Sequence, residues 1–123
     1  MPRSVSVLLK DINDYAELCF RYTSGKTYLA FANDNRLQAA VERCLSIVGE
    51  ALSQAVRQDP LILASITDGP RIISLRHRLI HGYYDISEAI VWGVVQQHLP
   101  VLDLEIKALR ETYSTEFSED GAE

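Results

Sequence analysis

Apolar residues recur at steps of three and four along the chain, and this spacing constrains the fold more than any other feature. The first such stripe runs through Val5, Leu8, Ile12, Tyr15, Cys19 and Tyr22. A second stripe with the same spacing runs through Leu37, Val41, Cys44, Val48, Ala51 and Ala55. Steps that average about 3.5 residues place an apolar stripe along one face of a helix. The sequence therefore predicts two long amphipathic helices in its first half.

Turn and capping residues bound these helices. Ser24-Gly25 ends the first, because glycine readily ends a helix. Asn33 or Asp34 supplies the N-cap of the second, and Asp59-Pro60 ends it. Residues 61–66 form a short apolar piece to which the pattern assigns no structure.

Two more helices are predicted in the second half. One begins at Asp68-Gly69-Pro70 and runs to about His81, since proline is well tolerated in a first helical turn. The last begins at residues 85–88, with either Asp85 or Ser87 as its N-cap. Its apolar stripe consists of Val91, Val95, His98, Leu102, Ile106, Leu109 and Tyr113. Proline at position 100 is expected to kink this helix.

Valine, isoleucine and threonine are not gathered into alternating runs, so strands have little support. The predicted fold is all-α, an up-and-down bundle of four or five helices. Spacing near 3.5 is also typical of a coiled-coil-like seam, so one stripe is a candidate surface for a partner subunit. We predict a helical domain at 1–110 and an acidic C-terminal tail at 111–123, which we expect to fray.

A net charge of −5 would by itself argue against nucleic-acid binding. The positions of the charged residues along the chain remove this objection. The tail holds five acidic residues and no basic ones, so residues 1–110 are neutral overall.

Two cysteines are too few for a disulfide framework, and we expect reduced structural thiols. The first ten residues reach Lys10 before an adequate apolar run, so no signal peptide is expected. We predict a cytoplasmic protein that does not enter a membrane.

A basic segment stands out within this acidic chain. Residues 69–84 contain no acid, and they include Arg71, Arg76, His77, Arg78 and His81. Arginine offers a forked donor suited to phosphate oxygens, and histidine can transfer protons near neutral pH. Two tyrosines follow at 83 and 84. This composition indicates a candidate phosphodiester site.

Helix geometry limits how these side chains meet. Residues five apart on a helix, such as Arg76 and His81, lie about 140° from one another around the axis. They converge only if the helix ends before His81 or if two copies of the chain contribute to one pocket. The alternative is a solvated basic helix face. A zinc pair at His77 and His81 is disfavoured, because no third ligand is suggested and arginines flank the pair. His98 is expected to be a hydrogen-bonded core or interface histidine.

The spacing Arg76-x4-His81-x-Tyr83 resembles the R-x4-H-x-Y motif of HepT-like proteins in the HEPN superfamily. Residues 44–51, which end in Gly-Glu-Ala, are similar to that family's second-helix signature. Residues 23–26 with Phe31, residues 90–92 and residues 99–102 extend the resemblance, which covers about residues 5–110.

The resemblance implies an all-α, dimeric ribonuclease toxin that needs neither metal nor cofactor and acts on RNA at a groove between two subunits. Arg76 would bind and polarise the scissile phosphate, and His81 would handle the proton of the 2′-hydroxyl or of the 5′-oxygen. Arg71, His77 and Arg78 would support RNA binding. Tyr83 matches the tyrosine to which a minimal nucleotidyltransferase antitoxin, the family's partner, attaches AMP, and the dimer could join that partner in a larger hetero-oligomer.

Two positions depart from the family pattern. His77 stands where an asparagine is common, and Gly69-Pro70 replaces a usual tryptophan. The sequence leaves open the RNA target and whether the antitoxin acts by binding or by modification. A competing hypothesis is a non-catalytic helical dimer that binds a nucleotidyltransferase partner or a nucleotide.

Overall fold

The computed structural model describes residues 3–81 and 87–121, and within these ranges it describes all side chains except those of 80, 81 and 114–121. The helices are α1 Val5–Thr23, α2 Tyr28–Ala32, α3 Asn35–Gln58, α4 Gly69–His81, α5 Glu88–Gly93 and α6 Leu99–Gly121. A 3₁₀ helix, Pro60–Ser65, connects α3 to α4, and a π-helical segment, Val94–His98, joins α5 to α6. No strand occurs in the described residues, and the prediction of an all-α bundle is confirmed.

Side-chain caps set where the helices begin. The Val7 amide donates to the hydroxyl of Ser4 at the start of α1 (3.2 Å). The Leu37 amide donates to the carboxylate of Asp34 (3.0 Å), so the N-cap of α3 is Asp34. Ser87 caps α5 in the same way. These contacts satisfy amides that would otherwise lack a partner in the first turn.

The core lies between α1, α3 and α6, and α4 packs against α3. Its largest fully buried side chains include Phe31, Leu8, Ile12, Leu45, Leu52, Leu102 and Ile106. The predicted stripe of α3 is buried from Val41 to Ala55. In α1 the prediction is wrong at the last position of the stripe, because Tyr22 is 40% exposed and Thr23 is buried instead. A helix of 3.6 residues per turn drifts away from a 3.5-residue spacing over several turns.

The sequence did not predict α2, which is only five residues long. The helix is capped by Thr27 and buries Phe31, whose ring centroid lies 5.2 Å from that of Trp92 in α5. This contact agrees with a packing role for Trp92. Residues 60–65 form the 3₁₀ helix, to which apolar composition alone could not assign a structure.

The expected distortion near Pro100 takes the form of the π-helical segment immediately before it. Proline has no backbone N–H, and its ring crowds the preceding helical turn. π-helical turns are rare in proteins and occur mostly as single-turn bulges within α-helices. α6 then continues to Gly121, beyond the predicted domain boundary at residue 110. The division into bundle and tail remains a prediction.

Both cysteines are buried, and neither forms a disulfide. Burial raises the pKa of the Cys19 thiol to about 12. Burial also raises the pKa of Cys44, although nearby Arg43 opposes this change. Both thiols therefore stay protonated at neutral pH, as expected for reduced structural cysteines. Within the described part of the chain, no helix is long and apolar enough to cross a membrane.

A buried polar contact joins α1 to α6. The Asn13 side-chain amide donates to the carboxylate of Asp103 (2.7 Å) and to its backbone carbonyl (3.0 Å). Arg110 donates to the Asn13 oxygen (3.2 Å), and Lys107 pairs with the Asp103 carboxylate (3.1 Å). Asn13 is 5% exposed and Asp103 is 7% exposed. Removal of one partner would leave polar atoms buried without their hydrogen bonds.

We therefore predict that Asn13→Ala lowers the free energy of unfolding by about 1–3 kcal/mol, as measured by urea denaturation. The control is Asn35→Ala, which removes the same side chain from an exposed site at the start of α3. This control should change stability by about 0.5 kcal/mol or less. Equal losses in the two variants would contradict a structural role for the buried contact.

Candidate functional site

Helices α3 and α4 pack closely against one another at Gly49. A Cβ atom placed on Gly49 would lie 2.3 Å from Cβ of Arg76 and 2.9 Å from its Cγ. Packed carbon atoms do not approach so closely, so a side chain at this position would force the two helices apart. The glycine of the Gly-Glu-Ala sequence thus allows Arg76 to lie directly against α3.

The next residue in α3 fixes the arginine. Nη2 of Arg76 lies 2.8 Å from Oε2 of Glu50. The other carboxylate oxygen of Glu50 accepts a hydrogen bond from Gln54 (2.8 Å) and lies 3.8 Å from Nη2 of Arg57. Glu50 is therefore held by α3 on one oxygen and binds Arg76 with the other. This arrangement orients the guanidinium group.

The guanidinium of Arg76 retains unused donor capacity. Its Nε atom is buried and has no hydrogen-bond partner in the described part of the chain. The side chain as a whole is 27% exposed, so its outer edge reaches solvent. An arginine that is half-buried, oriented by a carboxylate and still accessible is well placed to bind an oxyanion.

Arg76 lines an open cavity of about 240 Å³ between α1, α3 and α4, which Arg3, Asp11 and Arg43 also line. A neighbouring cavity of about 380 Å³ shares Glu50 with it and is lined by Arg57. The carboxylate of Asp11 pairs with Arg3 at 2.5 Å. The described residues around the two cavities include four arginines and two carboxylates, and this excess of positive charge favours an anionic ligand.

The structure separates the predicted arginines. Arg71 and Arg78 line a different cavity, between α4 and the π-helical segment, and Arg76 does not line it. This separation follows from helix geometry, because positions 71 and 78 are two turns apart on one face and position 76 lies on another. His77 is exposed on α4.

Two predicted site residues cannot be placed. His81 is the last residue of α4, and its side chain is not described. Tyr83 lies outside the described residues. The pairing of Arg76 with His81 and the modification of Tyr83 therefore remain predictions.

Sequence patterns indicate no role for Glu50, and for Asp68 they indicate only a place at the start of α4. Glu50 was visible only as part of the Gly-Glu-Ala signature, although a half-buried arginine requires a carboxylate or a similar acceptor nearby. Asp68 accepts a hydrogen bond from His98, 30 residues away (2.9 Å). No local spacing could have revealed that contact, because it depends on how α4 packs.

The family described as Ribonuclease HepT-like matches residues 12–109. The chain belongs to this family. The predicted relationship is confirmed, and with it the prediction of an endoribonuclease at the level of the family.

Several relatives match most of the chain, among them the following two. One, from Thermococcus cleftensis, is named "Probable ribonuclease HepT" and is 31% identical over 89% of this chain and 99% of its own length. The other, from Methanocaldococcus jannaschii, is named "Putative RNase MJ1380" and is 30% identical over 85% of this chain and 95% of its own. No solved structure matches this chain.

The Gly49 contact predicts an unusual response to alanine. In an exposed helix, a change from glycine to alanine stabilises by up to about 1 kcal/mol. Gly49→Ala should instead destabilise by about 1–3 kcal/mol, because its Cβ would overlap Arg76. Gly93→Ala is the matched control, since a Cβ at that position would have no atom within 4 Å. Urea denaturation of both variants should give changes of opposite sign, and stabilisation by both would contradict the close approach.

Proposed function

We propose that this chain is a metal-independent endoribonuclease toxin in which Arg76 binds the scissile phosphate and His81 transfers protons. The observation that carries the proposal is the Arg76–Glu50 contact of 2.8 Å, formed where Gly49 lets α4 lie against α3. It presents an oriented guanidinium to an open cavity rich in arginine. The family relationship supplies the reaction class.

The chemistry uses a nucleophile that RNA itself provides. The 2′-hydroxyl oxygen attacks the phosphorus, and the bond from phosphorus to the 5′-oxygen breaks. The products are a 2′,3′-cyclic phosphate and a free 5′-hydroxyl. His81 would take the proton of the 2′-hydroxyl or donate one to the leaving 5′-oxygen. Arg76 would stabilise the charge that develops on the phosphate oxygens.

We propose that two copies of the chain form each active groove. Residues five apart on an ideal helix lie about 140° from one another around its axis, so Arg76 and His81 of a single copy would not converge on one phosphate. In a symmetric dimer, Arg76 of one copy and His81 of the other can face the same phosphate. His77 lies between them in sequence and would contact the RNA.

The proposed partner is a minimal nucleotidyltransferase that acts as the antitoxin. Transfer of AMP to the Tyr83 hydroxyl would form a phosphodiester at the tyrosine oxygen and release pyrophosphate from ATP. The added negative charge and bulk would oppose RNA binding two residues from His81. This control requires no change in the fold.

We predict that Arg76→Ala and His81→Ala each reduce RNA cleavage at least about 100-fold, as expected for the loss of a transition-state contact or of an acid-base group. The assay follows total RNA with a metal chelator present. Arg36→Ala, which removes an exposed arginine at the start of α3, is the control and should cleave as the unmodified protein does. Equal background decay in all four proteins would contradict the enzyme, whereas cleavage that chelator abolishes would contradict the metal-free mechanism.

The Tyr83 proposal has a separate test. Incubation with the nucleotidyltransferase and ATP should add the mass of AMP to the intact protein and suppress cleavage. Tyr83→Phe should gain no mass and should keep its activity, because only the hydroxyl group is lost. The neighbouring Tyr84→Phe variant is the control and should still be modified. AMP on the Tyr83→Phe protein would show that another residue is the acceptor.

A further inference from the structure

A second cleft lies on the other side of α4 from Glu50. It has a volume of about 390 Å³ and separates α4 from α5 and the π-helical segment. The polar side chains that line it are Arg71, Ser74, Arg78, Gln97 and His98. The proposed reaction at Arg76 and His81 does not use this cleft.

A chain of hydrogen bonds orders one wall of the cleft. Nη1 of Arg71 lies 2.9 Å from Nε2 of His98. Arginine can only donate, so Nε2 accepts, and the ring proton is on Nδ1. Nδ1 then donates to Asp68 Oδ2 (2.9 Å). Asp68 thus sets the orientation of the imidazole, and the imidazole in turn positions Arg71 at the cleft.

The donors of this cleft suit a phosphate group. Arg71 is 59% exposed and has further N–H groups available to a ligand. Arg78, the Ser74 hydroxyl and the Gln97 amide provide positive charge and additional donors around the same space. None of the described residues that line the cleft is a carboxylate. Asp68, the nearest acidic group in this network, is 20% exposed and is already bonded to His98.

We propose that this cleft is a second phosphate-binding subsite, which holds a phosphate of the RNA strand outside the linkage that is cut. The inference rests on the proposed ribonuclease function. Arg71 precedes Arg76 by five residues on α4, so it lies about one and a half turns away along the axis and points in another direction. A strand that reaches both arginines must pass around α4, and the cleft therefore binds a phosphate other than the scissile one.

In this subsite Arg71 binds the phosphate directly, and His98 is a positioning residue. Without the imidazole, Asp68 would be free to pair fully with Arg71, whose Nε now lies 3.8 Å from Asp68 Oδ1. That pair would draw the guanidinium away from the cleft. Loss of His98 is therefore expected to weaken binding even though His98 need not touch the RNA.

The test measures binding without cleavage. A fluorescent single-stranded RNA whose 2′-hydroxyls are methylated cannot be cut by the proposed reaction, and its affinity is measured by anisotropy over a series of salt concentrations. Arg71→Gln should weaken binding about tenfold at moderate salt, as expected for the loss of a charged hydrogen bond. The slope of log affinity against log salt should fall by about 0.7, the value for one phosphate contact on a single strand.

Matched variants separate this contact from general charge and from stability. Arg36→Gln removes the same charge from an exposed site away from all the cavities described above, and it should leave affinity and slope near their original values. Arg71→Lys should retain the slope and lose part of the affinity, because it keeps the charge without the fork. His98→Gln should weaken binding as well. A purely structural role would lower the melting temperature of the Arg71 and His98 variants and leave the salt slope unchanged.

The outcomes distinguish this inference from the proposed function. If Arg71→Gln binds as tightly and with the same slope as Arg36→Gln, the subsite is excluded, whether or not the protein cuts RNA. The subsite is also excluded if the unmodified protein does not bind the methylated strand. If the protein binds it in an Arg71-dependent way but leaves unmethylated RNA intact, the subsite stands and the cleavage proposal fails.

Discussion

The contact between α3 and α4 at Gly49 is the constraint on which the candidate site depends. A glycine in the middle of a helix lowers stability by about 1 kcal/mol relative to alanine. At Gly49 this loss is offset by close helix packing that is possible only where there is no side chain. Because α4 lies so close, the carboxylate of Glu50 reaches the guanidinium of Arg76. Both side chains are about a third exposed, so solvent screens the pair and it contributes little to stability. Its main effect is to fix the direction of Arg76.

The same packing distributes the basic residues of α4 around its circumference. Arg76 faces α3, whereas Arg71 and Arg78 face α5 and the π-helical segment. Helix α4 therefore places basic side chains in two clefts, which lie on different sides of the helix. The acidic balance of the chain does not oppose an anionic ligand at either cleft, because the excess acid lies in residues 111–123. Binding through a few arginines in clefts predicts moderate affinity that weakens with salt.

Periodicity and capping residues predicted α1, α3 and α4 closely, because each is long enough for its apolar stripe and its end signals to agree. Local patterns could not reveal α2, which has fewer residues than two helical turns, or the form of the distortion before Pro100. At the site, Arg76 was predicted from its motif. The residues that orient the arginines, Glu50 and His98, come from other helices, and their roles are set by packing between segments far apart in sequence.

Helix α4 is held by polar contacts on both of its sides. At the start of α4, Asp68 binds His98 of the π-helical segment. Further along α4, about one and a half turns after Arg71, Arg76 binds Glu50 of α3. The buried apolar residues of the last helical region include Val95, Leu99 and Leu102. Leu99 therefore lies in the core, and the neighbouring His98 lies at the edge of the core, with its side chain 21% exposed. His98 can therefore reach Asp68 and Arg71 without the burial of an unsatisfied imidazole. These contacts on two sides fix the directions in which α4 presents Arg71 and Arg76, and phosphate recognition requires side chains that are oriented in this way.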